Sequence, residues 1–122
     1  IFGYQELEEL EGIEVRELKI KRPLIAVGEE LEFSFQVVND TGSPVSLRID
    51  YEIDYMKASG KLAPKRYKCS DKRYAPGCWT VEKKQSFKLI STRRFYSGDH
   101  RLHIIVNGKR LASMDFVLEG AE

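Results

Sequence analysis

From Val45 to Tyr55 the chain alternates without a fault. Val45, Leu47, Ile49, Tyr51, Ile53 and Tyr55 take one parity; Ser46, Arg48, Asp50, Glu52 and Asp54 take the other. Successive side chains of a strand point to opposite faces, whereas a helix repeats every 3.6 residues. This run therefore predicts a long strand with one apolar and one polar face. A strand of that kind must be covered by a second layer.

The rest of the chain supplies more of the same pattern. Leu31, Phe33, Phe35 and Val37 alternate with Glu32, Ser34 and Gln36. His100, Leu102, Ile104 and Val106 do so again, and Ala112, Met114, Phe116 and Leu118 form a last strand. Ile13 to Ile20 reads as a first strand that Pro23 interrupts, as expected of an edge strand that shifts between sheets, with Leu24 to Val27 continuing it. Leu62 to Cys69 reads as a strand that starts late because of Pro64, and Ser70 to Gly77 as a loop. Trp79, Val81, Phe87 and Leu89 share a parity on which Lys83 and Gln85 also fall, which predicts a bulge or a solvent-facing end. Asn39 to Pro44 is the clearest loop, and Asn107-Gly108 suits a two-residue type I′ hairpin because both residues tolerate positive φ.

About seven strands at short spacing, with no convincing helix, predict an all-β antiparallel sandwich of the immunoglobulin or fibronectin kind. The Cys–Trp–Cys arrangement of an antibody domain is missing. By parity Phe33, Phe35, Ile49, Tyr51, Trp79, Leu102, Ile104 and Phe116 are expected in the core. At 122 residues the chain is one domain with one core. Residues 12–119 are assigned to the sandwich. Residues 1–11, with Leu7 and Leu10 three apart among glutamates, read as a linker or the remnant of a preceding helix. The chain opens without Met on Ile1-Phe2-Gly3-Tyr4, as expected of an excised domain or processed fragment.

Net charge is +1, but its distribution is lopsided. Residues 1–54 hold 5 Lys/Arg against 13 Asp/Glu, and residues 55–122 hold 15 against 6. A basic half suits a polyanion; two solvated faces that happen to separate in sequence are the plainer alternative. No apolar run approaches the roughly 20 residues of a membrane span, so no membrane partner is expected. Two cysteines are too few for a disulfide framework, and a reducing cytoplasm is the expected compartment.

Candidate chemistry is thin. Asp50, Glu52 and Asp54 lie about 6.6–7 Å apart in succession on one strand face, within the wide range of glycosidase carboxylate pairs. A solvated outer face, paired with Arg48, is the simpler expectation. His100 and His103 are an odd number apart, so they face opposite ways and do not chelate together; His100 points to the core. Cys69 and Cys78 flank a predicted loop and are expected as idle thiols, with an opposed pair across a hairpin as the alternative. Neither a phosphate loop nor a nucleophile signature is found. The reading is therefore of no catalytic residue, no metal and no cofactor. Basic residues interleaved with aromatics offer more. Lys57 and Lys61 bracket one predicted turn, Lys65 follows it, and Arg93 and Arg94 meet Phe95 and Tyr96 in the loop before His100. Cations meet phosphates while aromatics wedge or stack, so these five are expected to form a phosphate-facing edge; Phe95 and Tyr96 plugging the sandwich end is the plainer alternative.

Three phrases then carry a resemblance: Leu47-Arg48-Ile49-Asp50-Tyr51 running into Lys57-Ala58-Ser59-Gly60-Lys61; Lys84-Gln85-Ser86-Phe87; and Thr92-Arg93-Arg94-Phe95-Tyr96-Ser97-Gly98-Asp99-His100-Arg101-Leu102 with Asn107-Gly108. Together they resemble the C-terminal immunoglobulin-like domain of bacterial DNA alkylation repair proteins, the AlkC-type alkylpurine DNA glycosylases. In that family the domain follows a HEAT-like helical-repeat domain that holds the catalytic carboxylate. The resemblance implies a non-catalytic accessory domain, with duplex DNA and the repeat domain of the same parent chain as partners. A protein-interaction or structural sandwich without nucleic-acid binding is the alternative.

Overall fold

The computed structural model describes residues 10–57, 59–87 and 98–119. Eight strands form within them, and no helix: β1 (Ile13–Ile20), β2 (Leu24–Ala26), β3 (Glu30–Asn39), β4 (Val45–Met56), β5 (Leu62–Tyr74), β6 (Gly77–Ser86), β7 (Gly98–Val106) and β8 (Lys109–Glu119). They make two sheets, β1-β3-β6 and β2-β8-β7-β4-β5. The alternating segments bury their apolar parity between these sheets. Leu31, Phe33, Phe35 and Val37 come from one sheet; Leu47, Ile49, Ile53, Leu102, Ile104, Phe116 and Leu118 come from the other. The immunoglobulin-like sandwich expected from the alternation is the observed architecture.

The eighth strand arises at Pro23. β1 pairs with β3, then the chain crosses to the other sheet, where β2 runs parallel to β8. Every other pairing is antiparallel. Pro23 suits the crossing because it offers only a carbonyl, which accepts from the Val117 N–H at 2.7 Å. Asn107 (φ 49°) and Gly108 (φ 81°) both sit in the left-handed region, as a type I′ turn requires.

Three expectations are corrected. β5 does not stop at Cys69: a register shift passes over Cys69 and the strand continues to Tyr74, leaving only Ala75 and Pro76 between β5 and β6. The one-residue bulge reverses the side-chain parity, so alternation read across it fails. β6 has no bulge, since its register with β3 runs unbroken from Glu30–Ser86 to Asn39–Gly77. Lys83 and Gln85 keep the inward parity because β6 is an edge strand, whose inner face is only half covered. Trp79 leaves the predicted core for the same reason and is 40% exposed. The other seven predicted core residues are buried.

β5 and β6 follow each other but belong to different sheets, so Cys69 and Cys78 do not oppose each other across a ladder; both thiols are free. Burial raises the pKa of Cys69, which keeps it protonated and unreactive.

Candidate nucleic-acid interface

Strand direction decides which loops share an end of the sandwich. Asp54 of β4 pairs with Arg101 of β7, and Met56 pairs with Leu62 of β5. The start of β7, the end of β4 and the start of β5 therefore lie together. A Cβ placed on Gly98 would meet the Met56 side chain at 3.1 Å, which puts the two elements in contact. Ser86, the last residue of β6, pairs with Glu30, and the Phe87 N–H donates to the Glu29 carbonyl at the turn out of β2. β2 ends beside Glu119 of β8, the strand whose Leu118 faces Gly98. The β6–β7 connection thus leaves and re-enters at the same end as the β4–β5 hairpin.

That hairpin carries Lys57 and Lys61. The Lys57 N–H donates to the Lys61 carbonyl at 2.8 Å, and the Gly60 N–H donates to the Lys57 carbonyl at 2.9 Å. Gly60 takes φ 84°, which permits the tight reversal. Lys65 is exposed, with its ammonium 5.6 Å from the Tyr67 ring centroid. Three of the five predicted contact residues are thus gathered on one hairpin and its outgoing strand. Arg93 and Arg94 lie outside the described residues; Phe87 and Gly98, which bracket their segment, stand at the hairpin's end.

Apart from Arg66, which pairs with Glu52, the described cations of this hairpin and strand have no ion-pair partner. Among the described residues, none of Lys57, Lys61, Lys65, Lys68, Lys72 and Arg73 has a carboxylate oxygen within 4 Å. Among the described residues β5 also pairs on one side only, so this row follows an open sheet edge. Cations on an edge strand keep foreign strands off, and they leave a positive rail exposed to solvent.

The outer face of the five-stranded sheet is the other polar constellation, and here the expectation of a solvated face is corrected. Asp50 is 5% exposed and Glu52 7%. Arg48 pairs with Asp50 at 3.4 Å, as expected, but Glu52 is held by two further guanidinium groups, Arg66 at 3.2 Å and Arg110 at 2.9 Å. His103 bridges the Asp54 carboxylate (2.8 Å) and the Ser113 hydroxyl (2.6 Å) through its two ring nitrogens. His103 faces outward and His100 inward, as their odd spacing on one strand requires. His100 packs among Tyr55, Phe87 and Phe116, with Nδ1 3.0 Å from the Gly98 carbonyl and Nε2 3.4 Å from the Met56 N–H. That geometry fits a neutral imidazole, and burial lowers the pKa accordingly.

Glu52, Asp54 and His103 bring ligand-type atoms within 4.8 Å of one another. Glu52 already accepts from Arg66 and Arg110, and both His103 nitrogens are engaged, by Ser113 and Asp54; two guanidinium groups stand where a cation's charge would fall. The cluster is neutralised by the protein's own cations. Its ion pairs come from four strands, β4, β5, β7 and β8, and sequence distance hid them.

Residues 14–120 match the family described as the C-terminal Ig-like domain of the uncharacterised protein YhaZ. The chain belongs to this family. It is 36% identical over 117 residues to the protein YhaZ of Bacillus subtilis (strain 168), covering 95% of this chain and 31% of that protein. Among solved structures it is similar to the alkylpurine DNA glycosylase AlkC of Pseudomonas fluorescens, bound to DNA containing an abasic site analog. The TM-score there is 0.85 at 31% identity, over 89% of this chain and 31% of AlkC. A β-glucosidase of Listeria innocua also superimposes, with TM-score 0.63 and 17% identity over 89% of this chain and 16% of the enzyme; that likeness is one of fold. The chain spans about a third of the length of the first two relatives. The resemblance read from the three sequence phrases thus agrees with the family and with the AlkC superposition. Among the described residues of this YhaZ-type domain, no helix is long and apolar enough to cross a membrane.

Proposed function

We propose that this domain is a non-catalytic accessory module of a DNA alkylation repair protein, holding duplex DNA against a helical-repeat domain of the same parent chain. The observation that carries the reading is the set of unpaired cations on the β4–β5 hairpin and β5. The arginines of the neighbouring sheet face are paired within the fold, whereas these cations are left to solvent, where they can meet a polyanion as well as guard the edge. The bound DNA of the AlkC relative supports the choice of polyanion. Lys57, Lys61 and Lys65 contact phosphates; Arg93 and Arg94 join them, by charge and by the place of the flanking residues Phe87 and Gly98. Chemistry on the base is left to the rest of the parent chain, and the cytoplasm is the compartment where such a module meets DNA.

Each phosphate contact releases counterions, so log K falls with log salt by about 0.9 per contact, and one module of this kind binds at about 10⁻⁴–10⁻⁶ M. A salt titration of duplex binding compares the wild type with Lys57→Ala/Lys61→Ala/Lys65→Ala and with Arg93→Ala/Arg94→Ala. The expected result is a slope shallower by about 0.9 for every contact removed. Unchanged slopes in both sets, with folding intact, would overturn the phosphate contacts and leave a protein-interaction module.

A further inference from the structure

Trp79 has left the core for the rim, and its setting there is specific. The indole Nε1–H donates to the Ala75 carbonyl at 2.9 Å, across the β5–β6 turn. The ring stands edge-to-face with buried Tyr74, centroids 6.0 Å apart and planes at 77°. The Lys72 ammonium lies 5.2 Å from the centroid of that same Tyr74 ring. An exposed indole is thus held against a ring that also carries a cation without a carboxylate partner among the described residues.

The donor of this indole is already used. What Trp79 presents outward is carbon and π surface, which makes no hydrogen bond to a partner but stacks. Stacking accepts any flat aromatic group, and the nearby Lys72 favours one that arrives with a negative charge. A nucleotide meets both demands, through its base and its phosphate. Trp79 sits at the end of the sandwich opposite the Lys57–Lys61 hairpin, with the 13 residues of β5 between. That strand spans about 40 Å at roughly 3.3 Å per residue, close to the 34–36 Å of one duplex turn. Nucleic acid laid along β5 from the hairpin therefore reaches Trp79.

We infer that Trp79, with Lys72, is a stacking platform for an unpaired DNA base at the far end of the β5 rail. The inference rests on the DNA-holding role above and adds a preference: a base inside a closed duplex has no free face to offer. Trp79 is the only tryptophan of the chain, so its emission reports this one place.

The test titrates the 122-residue chain with a fluorescein-labelled oligothymidylate and with a closed-ended hairpin duplex of equal phosphate count. Anisotropy gives binding, and the unlabelled oligonucleotides give Trp79 quenching. The expected result is saturable quenching by oligothymidylate that tracks its binding curve, with much weaker quenching by the closed duplex. Trp79→Ala should then lose roughly 5- to 150-fold in oligothymidylate affinity, the worth of one base–aromatic stack, while Trp79→Phe retains most of it. Salt-dependent duplex binding with an unresponsive Trp79, or an unchanged affinity in a folded Trp79→Ala, would overturn the platform and spare the phosphate rail. Equal quenching by both oligonucleotides would overturn the preference for an unpaired base. Absence of binding to either would overturn the platform together with the DNA-holding role.

Discussion

The outer face and the free edge of the five-stranded sheet both carry charges, but they handle them in opposite ways. On the face, Asp50, Glu52 and Asp54 are opposed by Arg48, Arg66, Arg110 and His103, and the two most buried carboxylates are sealed under guanidinium groups. Along the edge, lysines from Lys57 to Lys72 stand in solvent without a carboxylate within 4 Å. Arg66 belongs to the edge strand, yet its head is spent on the face. A charge whose partner is built into the fold serves the fold. A charge left without one is available to something else.

The largest effect should come from breaking the paired face. Removing Glu52 takes from Arg110, itself nearly buried, the carboxylate that it meets at 2.9 Å. Breaking a buried ion pair costs about 3–5 kcal/mol, and the lower figure suits Glu52→Ala because Arg66 can turn to solvent. Replacing Glu52 and Arg110 together by apolar residues of similar volume should recover most of that loss. Urea denaturation of the two single variants and the double closes the cycle. A loss below about 1 kcal/mol for Glu52→Ala would place this network with ordinary surface pairs.

The partners of Glu52 show why the network was hidden in the sequence while the strand was plain. Alternation is a local signal, so the strand Val45–Met56 and its inner parity were legible at sight. The partner Arg66 is 14 residues away, Arg110 is 58 away, and only strand order brings them together. A polar outer parity looks solvated until its neighbours are known. The one clue was His103, on the outward parity of a strand rich in apolar residues. Trp79 teaches the same point: its parity was right, but an edge strand covers only half of what it points at. The sharing of one end by the hairpin and the flanks of the β6–β7 segment likewise needed the topology. The phrases around Asn107-Gly108 and Thr92–Leu102 named the family where physics alone stopped at a sandwich.

The two histidines of β7 sharpen the comparison within a single strand, one buried among rings and the other among charges. Burial depresses the His100 pKa below its ordinary 6.5. Unfolded chains therefore take up a proton as pH falls through about 6.5 while the folded domain still refuses it. The unfolded state then binds more protons, so stability is full above that pH and declines below it, until the folded pKa is passed. The carboxyls of Glu14 and Glu29, lowered by their hydrogen bonds, lose their contribution in a more acid window, below about 4.5. Denaturation midpoints between pH 7.5 and 5 should therefore fall in the wild type and stay flatter in His100→Leu. Parallel curves would show that His100 carries none of the acid sensitivity.

The smallest effect is expected on the unpaired edge, and its sign separates the two regions most sharply. Surface substitutions away from structural features usually change stability by no more than about 0.5 kcal/mol. Lys68→Ala and Lys61→Ala should fall within that window. The sign should lean toward stabilisation, because each removes one member of a row of like charges on and beside a single strand. Mutual repulsion among exposed cations is screened over about 10 Å at 0.1 M salt and about 3 Å at 1 M. Any gain should therefore shrink as salt rises, whereas the cost of Glu52→Ala, set in a nearly buried site, should change little. Urea midpoints for Lys68→Ala at 0.02 M and 1 M salt provide the measurement. A loss above 1 kcal/mol that persists at 1 M would mean that Lys68 is tied into the fold, and that this edge is less free than its open side suggests.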